Sequence, residues 1–244
     1  MTRIKRLALS LLGMLIFLMG IFLELSLSGA VLEGEIEARA YTPQIGYSSP
    51  TMKCPHMLSP TESGMVSATI TNTIDEETKP VVMAEISRND GPQQLSQTLD
   101  LAPHETQTIT WTVNSSDMIF GRLILVNIFQ SRYADLPPRQ GACGIPVLNL
   151  FNLNGNSSFF LVFFAALLCI ALGAVIWLRV YWPLNDFRLN TAQACGMMTG
   201  MATAGMLAAL PRWWGLILFF DAFTLIIIAV VLTEFVLFPG RIRN

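Results

Sequence analysis

The stretch that decides the fold is FFLVFFAALLCIALGAVIWL, residues 159–178, which holds no charge, no proline and no Asn or Gln. At about 1.5 Å per residue this run reaches about 30 Å, the thickness of the hydrocarbon core of a bilayer. Because the backbone finds no water there, the run must be helical. It separates a polar, turn-rich N-terminal half from an almost wholly apolar C-terminal third.

Composition and charge also indicate a membrane protein. Of the 244 residues, 52% are apolar and only 13% are charged, whereas a soluble domain has about 25% charged residues. Residues 33–157 carry 13 acidic and 7 basic side chains, while segments 1–6, 179–188 and 240–244 carry 7 basic and 1 acidic. Because basic residues mark the cytoplasmic side, both termini are predicted to be cytoplasmic and residues 33–157 to lie outside. No basic patch lies on that outer region, so nucleic acid is not an expected partner.

Four apolar segments predict four transmembrane helices, at residues 7–27, 158–178, 191–210 and 215–238. The first fits either a cleaved signal peptide or an uncleaved signal anchor. The anchor is favoured, because the apolar run resumes after Glu24 as LSLSGAVL and is long for a signal peptide. The other segments are then a cytoplasmic N-terminus (1–6), an outer stalk and β-domain (28–157), a cytoplasmic loop (179–190), an outer turn (211–214) and a cytoplasmic tail (239–244), in a plasma or inner membrane.

Alternating apolar and polar residues fill the outer region. The runs lie at residues 66–71, 82–87, 95–101, 106–113 and 122–130 and are separated by turn clusters. In the clearest run Ile109, Trp111 and Val113 alternate with threonines, so Trp111 is predicted to lie in a core. Short period-two runs about ten residues apart predict an antiparallel β-sandwich. Residues 33–39 are predicted to form a polar stalk, and residues 41–60 an extended or looped chain.

Two motifs resemble the bacterial immunoglobulin-like (Ig-like) modules of the CARDB kind. SATITN, residues 67–72, is an alternating strand that ends in Asn, and LAPHE, residues 101–105, is a turn ahead of the strand that holds Trp111. His104 stands where that turn usually has glycine. The resemblance covers residues 60–131 and not the four-span chain as a whole. It implies an Ig-like sandwich with an adhesive or structural role rather than an activity.

The cysteines divide between the two regions. Cys54 and Cys143 flank the outer strands and are predicted to form a disulfide in an oxidising compartment. Cys169 and Cys195 lie in predicted spans and are expected to be reduced. A sharper alternative is a copper site, since soft ligands crowd around Cys54; its candidate ligands are Met52, Cys54, His56, Met57, His104 and Cys143. The spacing matches no established ligand set and a disulfide would consume the thiols, so no metal or other cofactor is expected.

The third span carries a small residue at every fourth position: Ala192, Gly196, Gly200, Ala204 and Ala208. That spacing places them on one helix face, where a neighbouring helix can approach closely in lipid. The neighbour is either another subunit or the second or fourth span of the same chain, and packing within the chain is the favoured interpretation.

The fourth span holds two acids, Asp221 and Glu234. An acid inside a membrane is a candidate functional residue because burying its charge is costly. The two are 13 residues apart, about 220° around a helix, so they are not expected to form one site. For Asp221, polar contact with Arg212, Thr199 or Thr203 is the favoured interpretation over a proton or ion pathway.

The sequence contains no recognisable catalytic motif. The predicted function is therefore that of a non-enzymatic membrane protein displaying an Ig-like domain outside the cytoplasm, as a structural or accessory subunit of a membrane complex. Its expected partners are the lipid bilayer and a membrane-protein subunit or a second copy of the chain. The alternative is a small transporter or channel component with Asp221 as its intramembrane polar centre.

Overall fold

The computed structural model describes residues 3–40, 50–133, 135–150, 153–181 and 186–237. The chain forms two compact units: a β-unit, Glu33–Phe159, and a helical unit made of Met1–Leu32 and Phe160–Asn244. Parts of several predicted segments lie outside the described residues. They are the tail at 239–244, residues 1–2 of the N-terminus, residues 182–185 of the cytoplasmic loop and residues 41–49 of the looped segment 41–60.

The β-unit is a sandwich of two antiparallel sheets, as predicted. One sheet has the strand order β1-β2-β5 and the other β4-β3-β6-β7. The strands are β1 (Thr51–Lys53), β2 (Gly64–Thr71), β3 (Val81–Ile86), β4 (Gln93–Thr98), β5 (Thr106–Val113), β6 (Leu123–Gln130) and β7 (Arg139–Pro146). Five of these match the alternating runs of the sequence, and β1 and β7 are additional.

The sandwich core is built from the inward face of each alternating strand. Trp111 is 8% exposed and lies in the core with Ile109 and Val113, so its predicted placement is confirmed. Val66 of β2 stands directly opposite Trp111 in the antiparallel register. On the outer face of the same strand pair, Thr69 and Thr108 are hydrogen-bonded at 3.1 Å.

The turn before β5 has a left-handed backbone at position 104, where the sequence motif usually has glycine. His104 has a φ of 58°, in the left-handed region that favours glycine. Its Nε2 lies 2.8 Å from Oδ1 of Asp75 in an exposed pair. A non-glycine residue thus occupies a backbone conformation that favours glycine.

The predicted polar stalk at residues 33–39 is instead helix. The first helix, α1, runs without a break over Arg3–Ala40, because Glu, Ala and Arg are good helix formers and because its end is packed. Within the β-unit, Ala38 is buried against Leu123 and Leu125 of β6. A Cβ on Gly144 of β7 would collide with the carbonyl oxygen of Gly34. This cover explains why both faces of β6 are buried.

The helical unit contains the first part of α1 with α2 (Gly155–Tyr181, from residue 160), α3 (Asp186–Ala209) and α4 (Trp214–Leu237). All four helices contribute to one apolar cluster, whose members include Phe17, Ile170, Met198 and Ile227. A tight turn joins α3 to α4. There the Trp213 N–H donates to the Ala208 carbonyl oxygen and the Arg212 N–H to that of Ala209, with Arg212 at a φ of 58°, which is the Schellman helix-ending motif.

Three of the described helices are long and apolar enough to cross a membrane: Ile4–Ala40, Gly155–Val180 and Trp214–Val231. The predicted third span, now α3, is not among them, since Asn190, Gln193 and several threonines lower its hydropathy. The chain thus combines apolar helices typical of a membrane protein with one all-β domain.

Candidate functional site

A buried polar cluster lies between α1, α3 and α4 of the helical unit. Asp221 of α4 is 9% exposed and Ser28 of α1 is 1% exposed. The Ser28 Oγ lies 2.9 Å from the Asp221 Oδ2 and also 2.9 Å from the backbone oxygen of Glu24, one helical turn earlier. The serine therefore connects the two helices through a side chain that is itself held to its own backbone.

Glu24 completes the cluster from α1. Its side chain is 1% exposed, and its Oε1 accepts a 3.3 Å hydrogen bond from the Thr203 hydroxyl of α3. Glu24 and Ser28 lie one turn apart and share one face of α1. One face of α1 thus bonds to α3 through Glu24 and to α4 through Ser28.

Each carboxyl group keeps one oxygen without a partner. These are Oε2 of Glu24 and Oδ1 of Asp221, both buried and without a hydrogen bond. In the described part of the chain, no Lys, Arg or His forms an ion pair with either group. A buried polar atom without a partner is costly, and a buried charge without one is far more so.

Gly205 of α3 shapes the site around Asp221. A Cβ at Gly205 would lie 2.6 Å from the Asp221 Oδ1, so the carboxyl rests against the bare backbone of α3. Any side chain at position 205 would displace it, which makes this glycine part of the site.

The hydrogen-bond partner predicted for Asp221 differs from the one in the structure. Polar contact with Arg212, Thr199 or Thr203 was expected, whereas the bonded partner of Asp221 is Ser28, and Thr203 bonds Glu24 instead. Glu24 was missed as a site residue. The available signal was an acid with a serine four residues later inside an otherwise apolar run. Glu234 lies in α4, but its side chain is outside the described residues.

Among the described residues, Gly196 and Gly200 on the small-residue face of α3 have no packing partner from the rest of the chain, which differs from the favoured interpretation of packing within the chain. Nothing among the described residues lies within 4 Å of a Cβ built at Gly196 or Gly200. Ala192 and Ala204 are half-buried and only Ala208 is buried. The packed face of α3 consists instead of Met198, Ala202, Gly205, Met206 and Ala209, because it is this side that meets α1 and α4.

Close helix packing occurs at glycines that the sequence analysis did not select. A Cβ on Gly173 of α2 would lie 2.5 Å from the backbone nitrogen of Phe17 and 2.6 Å from the carbonyl oxygen of Gly13. A Cβ on Gly20 would lie 2.8 Å from the carbonyl oxygen of Ala166. The backbones of α1 and α2 therefore touch along an antiparallel crossing.

The predicted disulfide is confirmed. Cys54 and Cys143 are bonded, 89 residues apart in sequence, and link the segment after β1 in one sheet to β7 in the other. Both thiols of the alternative copper site are consumed by this bond. Cys169 and Cys195 are unbonded, and no group of three possible metal ligands occurs among the described residues.

No protein-family model and no curated protein matches the chain. Solved structures that resemble it do so over part of its length. The CARDB domain of a Pyrococcus furiosus protein, solved with di-metal ions, is 12% identical with a TM-score of 0.33, and the match covers 43% of this chain and 95% of that domain. A β-glucuronidase from Bacteroides uniformis is 17% identical (TM-score 0.31, 39% of this chain) and a β-glucosidase from Listeria innocua 19% identical (TM-score 0.29, 42%). This chain spans only 12% and 16% of those two enzymes. A CARDB domain is thus a structural neighbour of one segment of the chain.

Proposed function

We propose that this protein is a non-enzymatic integral membrane protein with four spans, which carries its Ig-like β-unit outside the cytoplasm and serves as a structural or accessory subunit of a membrane complex. The observation that carries the proposal is the open face of α3. A Cβ built at Gly196 or Gly200 would meet nothing within 4 Å among the described residues, whereas Met198 and Ala202 on the opposite face are buried.

A partner helix is the occupant that suits this face. In lipid, helices associate through close van der Waals contact, for which glycine faces are adapted. Because α3 also bears Gln193 and falls short of the hydropathy of the other three helices, full exposure of this face to lipid is unfavourable. A membrane helix of another subunit would cover both the bare backbone and the polar side chain.

The four-span topology is supported by packing as well as by charge. α3 shares the apolar cluster of the three more hydrophobic helices through Met198 and Ala202, so we place it in the bilayer beside them. An even number of spans then leaves both basic ends of the chain in the cytoplasm. The disulfide of the β-unit suits an oxidising compartment.

We also propose that α1 is an uncleaved anchor. Removing it would leave Asp221 without Ser28 and would expose the α2 backbone at Gly173. Mass spectrometry of the purified protein tests this directly, since a mature chain that lacks α1 contradicts the proposal.

The central experiment replaces Gly200 by Leu and compares the proteins that co-purify in mild detergent. We expect the partner to be lost while the melting temperature stays the same, because a Cβ at position 200 meets no described residue within 4 Å. Gly29→Leu is the matched control, as a Cβ at that helical glycine of α1 also meets nothing within 4 Å. A co-purifying set that is unchanged by Gly200→Leu contradicts the proposal, and recovery of a second tagged copy of this chain identifies the partner as a homo-oligomer.

Topology is tested separately with reporters at Asp90 and Asn244. The proposal expects Asp90 outside and Asn244 in the cytoplasm. A reporter at Asn244 that is found outside would mean that α3 does not cross the membrane.

A further inference from the structure

We propose that Glu24 and Asp221 form a proton-binding site inside the helical unit, at which at least one carboxyl group is held as the neutral acid and exchanges its proton. This proposal does not depend on the partner of α3. It rests on the geometry of three helices: Glu24 and Ser28 on α1, Thr203 and Gly205 on α3, and Asp221 on α4.

Ser28 has one hydroxyl proton for several acceptors. Two of them lie at the same 2.9 Å distance, the backbone oxygen of Glu24 and the Oδ2 of Asp221, and the backbone oxygen of Leu25 lies farther away, at 3.3 Å. One hydroxyl proton does not satisfy both contacts fully. A proton on Asp221 does, because the acid then donates to the Ser28 oxygen while Ser28 donates to its own helix.

Two buried carboxyl oxygens have no hydrogen-bond partner. If both groups were ionised, Glu24 Oε2 and Asp221 Oδ1 would be buried anionic atoms with no hydrogen bond and, among the described residues, no ion pair. The thiols of Cys169 and Cys195 are further titratable groups in the apolar parts of these helices, and neither is in a disulfide. Glu234 also lies in α4, with its side chain outside the described residues. A proton removes the charge and converts one oxygen from acceptor to donor.

The close packing around Asp221 favours a proton over a metal cation. Hard cations need a shell of oxygen ligands at fixed distances. Here the unpaired Oδ1 of Asp221 lies against Gly205, where a Cβ would be only 2.6 Å away. That close packing suits a proton, which needs no space of its own.

Occupancy of the site is coupled to helix packing. When both carboxyl groups are ionised, α1 and α4 carry like charges, although the Ser28 bond holds these two helices together. Proton loss therefore weakens the contact between these helices, and proton binding strengthens it.

The experiment uses the full-length protein in mild detergent with dicyclohexylcarbodiimide, an apolar reagent for carboxylic acids. The acid O–H adds across one C=N bond to give an O-acylisourea, and the acyl group then shifts from oxygen to nitrogen to give a stable N-acylurea. Nothing leaves, so the labelled peptide gains the mass of one whole carbodiimide. Peptide mass spectrometry locates the label, and infrared difference spectra between wild type and the Glu24→Gln/Asp221→Asn double variant detect the acid carbonyl band directly.

The proposal expects the label on Glu24 or Asp221, with labelling that falls about tenfold for each pH unit above the midpoint. The double variant should lose both the label and the infrared band. Glu33→Gln is the matched control, since Glu33 lies on the same helix but forms an ion pair with Arg122, and it should change neither readout. Identical infrared spectra for wild type and double variant would overturn the proposal. So would protection from the label by added sodium or calcium at constant pH, which would assign the site to a metal cation.

Discussion

Breaking the Cys54–Cys143 bond is the sharpest test of the β-unit. The bond closes a loop of 89 residues, and in the chain-entropy model a loop of that length contributes about 4.6 kcal/mol at 25 °C by restricting the unfolded chain. Domains of this size have a total stability of about 5–15 kcal/mol. Reduction should therefore remove about 30% or more of the free energy of unfolding.

The assay is urea unfolding of a fragment spanning residues 33–159, which contains neither Cys169 nor Cys195. Oxidised and reduced wild-type fragments have the same side chains, so their difference isolates the crosslink. A Cys54→Ala/Cys143→Ala double variant should be slightly less stable than the reduced fragment, because Cys143 is 2% exposed in the core and its sulfur would leave a void.

The extrapolated free energies of unfolding decide the outcome. A difference of less than about 1 kcal/mol between oxidised and reduced fragments would refute the chain-entropy argument. It would mean that the ends of the loop are already held together in the unfolded chain or that the native bond is strained.

Three further predictions follow from the packing. Trp111→Ala should lower the free energy of unfolding of the β-unit by about 3–5 kcal/mol, because the ring is buried; an unchanged urea midpoint would contradict its place in the core. Gly173→Leu should lower the melting temperature of the full chain in detergent, since the Cβ alone would lie 2.5 Å from the Phe17 nitrogen, whereas Gly29→Leu should not. His104→Gly should leave the β-unit as stable or raise its stability by up to about 1 kcal/mol, because the backbone there has a φ of 58°; a clear loss would show that the Asp75 contact outweighs the backbone strain.

Strands with a strong alternation were predictable from the sequence, and the others were not. β5 carries Ile, Trp and Val on one face and threonines on the other, so its period fixes its bounds. β7 reads RQGACGIP, whose glycines and proline carry little strand propensity. It becomes a strand because β6 pairs with it along its whole length and because Gly144 admits the backbone of Gly34.

Helix partners were less predictable than helix positions. The five small residues of α3 show where a neighbouring helix could approach closely. Only the structure shows that no described residue lies within 4 Å of a Cβ built at Gly196 or Gly200. Asp221 was visible as an intramembrane acid, yet its partner Ser28 lies 193 residues away. No local sequence pattern connects two such positions, because the hydrogen-bond partner of Asp221 depends on which helix faces pack together.

Apolarity alone does not determine which helices of the helical unit pack against each other, because lipid tails are as favourable an environment for an apolar side chain as another helix is. Two features remain: close backbone approach and buried polar bonds. α1 supplies both, with Gly13 and Gly20 against α2 and with Glu24 and Ser28 toward α3 and α4. The same helix therefore specifies all three of its neighbours. In the proposed proton site, a proton on at least one of the two carboxyl groups prevents like charges on α1 and α4, and the proposal thereby links the arrangement of these helices to the occupancy of that site.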